Sequence, residues 1–314
     1  MKKLFFIPLI CILALTFCLG GTAYAQKEVA LPAVGITPDS PFYFADKLSK
    51  RLNLILTFKS ENKVQKSLQY AKERLAEMDD MLARNKFKEA TEANNEYQNC
   101  LALATEYTER SRNKGVDTSE TVFLAASEYL DLVTDSTGLA SESAQKLLTQ
   151  AREITRTCQE TALRTLAQGE SEKAIRLNLM LMERQLNRIN ANVEDQQSTR
   201  LQEALQEYER LGILSEEISQ IARGLGKRAT VDQLVSQATA SQLQVLTQAQ
   251  QRFQKQSQQA VNNSTQNCIE NQERVVTRFK AQNQTGQLQE NISIPAETPE
   301  KSKQHASNRG FQRK

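Results

Sequence analysis

The chain of 314 residues has no Trp, one His and six Pro. The prolines stand at Pro8, Pro32, Pro38, Pro41, Pro295 and Pro299, so the 253 residues from Phe42 to Ile294 contain none. A β-rich protein or an α/β enzyme of this size needs far more turn punctuation than that. The lone His305 lies near the C-terminus in a polar stretch. Catalysis by a histidine base and metal sites with histidine ligands therefore have almost nothing to be built from. Neither sign of charge dominates, with 40 Lys and Arg against 37 Asp and Glu and a net charge of +3. No strong field calls for nucleic acid or an acidic membrane. Beyond the N-terminus no stretch approaches the 18 or so unbroken apolar residues of a membrane span.

What is present begins with a three-part N-terminal pattern. Lys2 and Lys3 precede an apolar run from Leu4 to Leu19, followed by Gly20-Gly21-Thr22 and then Ala23-Tyr24-Ala25. This predicts a secretory signal peptide over residues 1–25, cleaved before Gln26. The run is short for a membrane anchor, and bulky Phe17 before Cys18 disfavours lipid attachment there. Cleavage removes two lysines and no acid, leaving a net charge of +1. It also removes Cys11 and Cys18, so the exported chain keeps Cys100, Cys158 and Cys268. An odd number leaves at least one thiol outside any internal disulfide. The readings open at this point are three buried small hydrophobes, or one disulfide with a spare thiol.

After a leader at 26–36, the chain reads as helix after helix. Ser40 and Pro41 suit a helix start, and Phe44, Leu48, Leu52 and Ile55 recur at 4-4-3 spacing. Ser60 caps a second helix bearing Leu68, Ala71, Leu75, Met78 and Leu82, and Asn85-Lys86 makes a turn. The third bears Ala90, Asn94, Tyr97, Leu101 and Ala104 and stops near Gly115, giving an antiparallel hairpin. Asp117 with Glu120 resembles a capping box for a helix carrying Val122, Ala126, Leu130 and Val133. From Ser141 a longer helix carries Leu147, Ala151, Ile154, Cys158, Thr161 and Thr165 and closes at Gly169; Ser171 opens the next, which turns at Asn190 to Asn192. The cleanest stripe follows: Leu201, Leu205, Tyr208, Leu211, Leu214, Ile218, Ile221 and Leu225, broken by Gly224 and Gly226. Thr230 with Gln233 then caps a last helix reaching about Gln282. Its Gln-rich stretch, eleven Gln in 233–259, is read as helix because Gln is a good helix former and apolar residues still recur. The polar tail at 284–314 is expected to be disordered.

No alternating Val, Ile and Thr segments bounded by turns occur, so the fold class is all-α: antiparallel hairpins in an extended bundle with a long, coiled-coil-like C-terminal helix. The expected division is 37–115, 116–169 and 170–283. A faint repeat underlies it. Lys63, Glu73 and Arg74 match Lys173, Glu183 and Arg184 at an offset of 110, and Glu96-Tyr97 matches Glu207-Tyr208 at 111. Cys158, Glu160 and Arg164 match Cys268, Glu270 and Arg274 at 110. Ten aromatics lie between Phe42 and Tyr129, against four after that, which predicts a more stable N-terminal half.

Three motifs also carry a resemblance: Thr37-Pro38-Asp39-Ser40-Pro41-Phe42-Tyr43-Phe44, Leu56-Thr57-Phe58, and Ala71-Lys72-Glu73-Arg74-Leu75-Ala76-Glu77. Together with Tyr97 they resemble an uncharacterised domain family of exported bacterial and archaeal proteins, over residues 35–112. Lys72 departs from the acid common there, and Asn85-Lys86 from the usual Gly. The resemblance implies export and a helical fold; it implies no catalytic residue.

Candidate chemistry is sparse. The pairs Asp79-Asp80 and Glu216-Glu217 diverge by about 100° on a helix, so neither converges on one ligand. No G-x-S-x-G elbow or phosphate loop is present, and Gly224-Leu225-Gly226-Lys227 reads as a helix end. No catalytic, cofactor-binding or metal residue is assigned. The expectation is a non-enzymatic exported protein of the cell envelope, with a structural or protein-interaction role. It would meet a partner or itself through helices, and neither nucleic acid nor a membrane after signal cleavage. The alternative is a bundle that takes a small apolar ligand beside Met180, Leu181 and Met182.

Overall fold

The computed structural model describes residues 31–135, 141–194, 198–254, 265–274 and 276–277. Among these residues every regular element is a helix. In chain order they are α1 (Tyr43–Ile55), α2 (Ser60–Ala83), α3 (Phe87–Arg112), α4 (Ser119–Asp135), α5 (Glu142–Glu194), α6 (Ser198–Gly224) and α7 (Arg228–Gln254). A further helical segment covers 265–274. The expected signal segment 1–25, and the tail 284–314 with His305, lie outside the described residues.

The local chemistry of the chain places most helix ends. Asn85 adopts φ 55°, and the N–H groups of Lys86 and Asn85 return to the carbonyls of Met81 and Leu82 at 2.8 and 3.0 Å. This is the paired bond pattern that closes a helix around a left-handed residue, and it makes the α2–α3 turn. Gly115 (φ 84°) and Gly226 (φ 71°) close α3 and α6 in the same way. There Val116 N–H meets Ser111 O at 3.1 Å, and Lys227 N–H meets Ala222 O at 2.9 Å. Asp117 Oδ1 accepts from Ser119 N–H at 2.8 Å, and Ser141 Oγ from Ala144 N–H at 3.2 Å. Ser141 is the N-cap of α5, while Asp117 makes an Asx turn one residue before Thr118, the N-cap of α4.

Several expected boundaries move. α1 begins at Tyr43 rather than Pro41, because Thr37 to Pro41 spends its bonds in turns, Ser40 N–H on Thr37 O at 2.9 Å among them. Ser60 is the first residue of α2 and not its cap; its Oγ accepts from Lys114 Nζ at 3.3 Å. Glu120 pairs with Lys173 at 2.5 Å instead of closing a capping box on Asp117. Thr230 lies within the first turn of α7, which starts at Arg228. The break at Gly169 holds: α5, the span Glu142–Glu194, is two helices that meet at Glu170, whose φ −125° and ψ 64° are not helical, and the second runs past Asn190 to Asn192.

The last helix, read as one rod to about Gln282, is resolved into two pieces. Tyr208 of α6 donates to Gln242 of α7 at 3.0 Å, while the Cys268 thiol lies 3.7 Å from Leu205 O, three residues away on α6. A straight helix would hold Gln242 and Cys268 about 39 Å apart. The segment 265–274 is therefore a separate rod against α6. The all-α bundle of hairpins stands.

The chain forms two compact units that divide at Ala174/Ile175, within about a turn of the Glu170 kink. In the first, α2 and α3 form the principal hairpin. Tyr129 of α4 donates to Leu68 O at 2.7 Å, Tyr97 of α3 meets Thr155 of α5 at 2.5 Å, and Gln159 of α5 donates to Ser127 at 2.8 Å. In the second, Asn178 of α5 donates to Leu211 O at 2.8 Å and to Ser215 at 2.7 Å on α6. On its other sides α6 meets α7 and the 265–274 segment.

The faint sequence repeat is a repeat of structure. Shifted by 111, α3 (87–112) falls on 198–223, the span of α6. Of its buried positions, Ala90, Ala93, Asn94, Tyr97, Cys100, Ala104, Thr108 and Ser111 fall on buried Leu201, Ala204, Leu205, Tyr208, Leu211, Ser215, Ser219 and Ala222, and Leu101 falls on half-buried Gly212. The same shift carries Gly115 onto Gly226, the two left-handed glycines that end these helices. Shifted by 110, α2 falls on α5 beyond its kink, and buried Thr155 and Cys158 fall on buried Thr265 and Cys268. α4 falls on α7. Both units are thus built on one four-helix plan; α1 is an addition to the first.

Candidate functional site

α1 is where the first unit departs from ordinary amphipathic packing. Its inner side buries Tyr43 and Leu54 but otherwise presents Asp46, Lys47 and Lys50 to α2 and α3. Lys47 meets Glu92 at 2.7 Å and Glu96 at 3.6 Å, and Lys50 meets Asp46 at 3.0 Å and Glu73 at 2.8 Å. The centre of the contact is Arg74, 2% exposed, which pairs with Asp46 and, at 2.6 Å, with Glu77, itself 1% exposed. Tyr43 lies over this guanidinium, with 4.9 Å from its ring centre to the Arg74 carbon. A cation held between two carboxylates and an aromatic face keeps its charge in the interior. Burial would lower the Arg74 pKa, but Glu77 and Asp46 together drive it up. Burial pushes Asp46 upward too, yet hydrogen bonds from Arg74 and Lys50 hold it below its usual range. Removing one member of such a cluster costs about 3–5 kcal/mol, because the remaining charges stay buried.

The outer side of α1 is the reverse. Phe44, Leu48, Leu52 and Ile55, the 4-4-3 stripe, face away from the bundle, with Phe44 71% and Ile55 69% exposed. Phe42, Leu56 and Phe58 extend the surface, and Phe58 is 92% exposed. Exposed Ala45 and Ser49 lie beside the stripe and leave its backbone open to close approach. Taking about 200 Å² for a whole Phe and somewhat less for Leu or Ile, the seven apolar side chains expose on the order of 900 Å². The largest apolar patch of an ordinary monomer is about 300–600 Å². Sequence periodicity identified α1 and its stripe but implied the wrong direction. The signal that corrects it is the charge pattern: Asp46, Lys47 and Lys50 complement Glu73, Arg74, Glu92 and Glu96.

Two cavities lie in the same unit. One, of about 310 Å³, is lined by Lys50, Leu54, Tyr70, Arg74, Cys100 and Leu103. Its charged groups are engaged with each other, and burial pushes the Cys100 thiol up to about 12. The other, of about 460 Å³, is an open trough between α3 and α5 that includes Leu101, Thr105, Ile154 and Cys158. Burial raises Cys158 to about 11, against the hydrogen bond with Thr105. Neither thiol is set up as a nucleophile.

Cys100, Cys158 and Cys268 are all free and buried, so the disulfide reading is set aside. Met182 and Leu181 are buried; Met182 packs against the glycine gap at Gly212, and its sulfur takes a 3.5 Å contact from Ser215. Met180 beside them is half-buried. Asp80 of the Asp79-Asp80 pair is engaged by Arg84 at 2.9 Å. Gly226 ends α6, as the reading of Gly224 to Lys227 anticipates. Among the described residues no group of three or more His, Cys, Asp or Glu gathers as a metal site, and no helix is long and apolar enough to cross a membrane.

The chain is thus an all-α protein of two similar helical units, the first carrying an extra helix with an apolar outer face. Residues 35–174 match a family described as Domain of unknown function (DUF5667). That span contains α1 to α4 and the part of α5 that belongs to the first unit, and the family is described as one of unknown function. No curated protein matches the sequence. A solved structure described as "Circular tandem repeat protein with novel repeat topology and enhanced subunit contact surfaces" superposes with a TM-score of 0.50 at 14% identity, over 74% of this chain and 50% of that one. The chain therefore spans about half the length of that protein. At this identity the likeness concerns fold alone, and a tandem helical repeat accords with the two matching units.

Proposed function

We propose that this is an exported, non-enzymatic helical protein of the cell envelope, whose activity is to hold another protein against α1. The observation that carries this reading is the outward apolar face of α1, fixed in place by a buried charge cluster. An uncovered face of this size is costly in water and is the usual mark of a protein-binding surface. The basic residues of α1 near it are engaged by acids of the same unit: Lys47 and Arg51 by Glu96, and Lys50 by Glu73. An interfacial membrane helix instead presents its Lys and Arg to anionic headgroups. Export rests on the N-terminal pattern ending at Ala25. The subunit contacts in the solved repeat protein's description accord with a helical surface used for association.

The test combines fractionation with photocrosslinking in the producing cell. A photoreactive residue at Phe58 should give a discrete crosslinked protein band in the extracytoplasmic fraction, and one at exposed Lys146 of α5, distant in sequence, should not. Recovery of the chain only in the cytoplasm, or no protein adduct at Phe58, would overturn the reading.

A further inference from the structure

We infer that the protein bound by the α1 face is a second copy of the same chain, in a two-fold dimer in which the two α1 helices pack antiparallel. This rests on the reading of α1 as a binding face and names its occupant. Three observations carry it.

The first is area. The exposed surface of the seven apolar side chains, on the order of 900 Å², matches the roughly 800 Å² that each partner contributes to a standard stable interface. The second is self-complementarity. In a two-fold pairing each residue meets the counterpart of its own contact. With α1 antiparallel to itself, Leu48 of one chain faces Leu52 of the other, and Phe44 faces Ile55 and Leu56. Large side chains at 44, 48, 52 and 55 then interleave beside small Ala45 and Ser49, the alternation that lets helices approach closely. The third is charge. The stripe carries no ionisable residue, and Arg51 at its edge is directed to Glu96 of its own chain at 3.5 Å. A centre without charge gains most from another centre without charge, while Arg51 and exposed Lys59 stand at the rim.

The full chain is expressed with its native N-terminus and purified as the cell processes it. Size-exclusion chromatography with light scattering then gives its mass from about 1 to 100 μM. The expected result is a dimer that dissociates on dilution, and a monomer for Leu48→Glu/Leu52→Glu. Those substitutions juxtapose four carboxylates and weaken association at least about 100-fold. Both positions are about half exposed, so circular dichroism and the melting temperature should stay unchanged. A wild-type monomer at 100 μM overturns the inference, as does a dimer that survives both glutamates. Monomeric chain that binds phosphatidylcholine vesicles, and loses binding in the double variant, assigns the face to lipid and overturns it too. If the wild type is monomeric but the Phe58 photoadduct contains a different protein, the dimer fails while the protein-binding reading stands. If neither dimer nor adduct forms, both fail.

Discussion

Asn94 and Leu205 occupy the same place in the two units, 111 residues apart, and both are buried on the inner side of their helices. Neither amide atom of Asn94 has a hydrogen-bond partner. A buried, unsatisfied amide costs about 1–3 kcal/mol, and Leu has nearly the same volume. Asn94→Leu should therefore stabilise the first unit by about 1–2 kcal/mol, read as a higher urea midpoint with an unchanged slope. A loss of stability would mean that the amide is paired in solution. The thiols permit a second expectation. Burial raises Cys100 and Cys268 to about 12 and Cys158 to about 11. Residues 26–314 should show no thiol reactive to a disulfide reagent near pH 8 when native, and three in guanidinium. Because these folded pKa values lie above the ordinary thiol value of 9.0, the folded state holds the protons more tightly. Their contribution to stability is full below pH 9 and is lost as pH rises through 11 to 12. Unfolding midpoints measured from pH 8 to 11 should fall, and fall less when Cys158 is replaced by Ser.

Individual helices repeat the lesson in their endings. Gly115 and Gly226 are left-handed and have open space where a Cβ would stand, whereas Gly224 has the same open space without the left-handed φ. Gly226→Ala and Gly115→Ala should each cost about 1 kcal/mol from backbone strain alone, while Gly224→Ala should gain about 0.5–1 kcal/mol of helix propensity. Thermal melts of the three variants would separate them; equal effects at 224 and 226 would refute the assignment. These endings were legible in sequence because Gly and Asn act through local backbone geometry. So were the stripes of α2, α3, α4 and α6, whose apolar positions lie on the buried side almost throughout. The direction of α1 was not legible. Periodicity locates a stripe but does not say what it packs on, and here long-range pairs such as Asp46 with Arg74 decide. The break beside Gly169 was legible, because Gly weakens a helix and the backbone leaves helical values at Glu170; the continuation past Asn190 to Asn192 was hidden, since Asn is only a mild helix breaker and tertiary packing overrides it.

At the scale of the whole molecule, the repeated helix plan accords with the two compact units into which the chain, free of proline from Phe42 to Ile294, divides. Their interiors have diverged. The first buries Tyr43, Tyr97, Phe123 and Tyr129, whereas the described core of the second holds Tyr208 amid buried Asn178, Gln185, Gln242 and Gln272. Aromatic rings contribute the largest apolar areas, and each buried amide must recover its desolvation through hydrogen bonds, so the first unit should be the more stable. The chain supplies its own probe. With no Trp, its intrinsic emission is that of tyrosine, and among described residues only Tyr208 lies in the second unit. In Tyr208→Phe, tyrosine emission reports the first unit, while far-ultraviolet circular dichroism reports all helices. On urea titration about half of the helical signal should be lost before the emission moves, giving midpoints that do not coincide. Residues 26–174 alone should melt cooperatively at the later midpoint. Coincident transitions in Tyr208→Phe, together with an unfolded 26–174 fragment, would show that the duplicated unit is a unit of structure but not of folding.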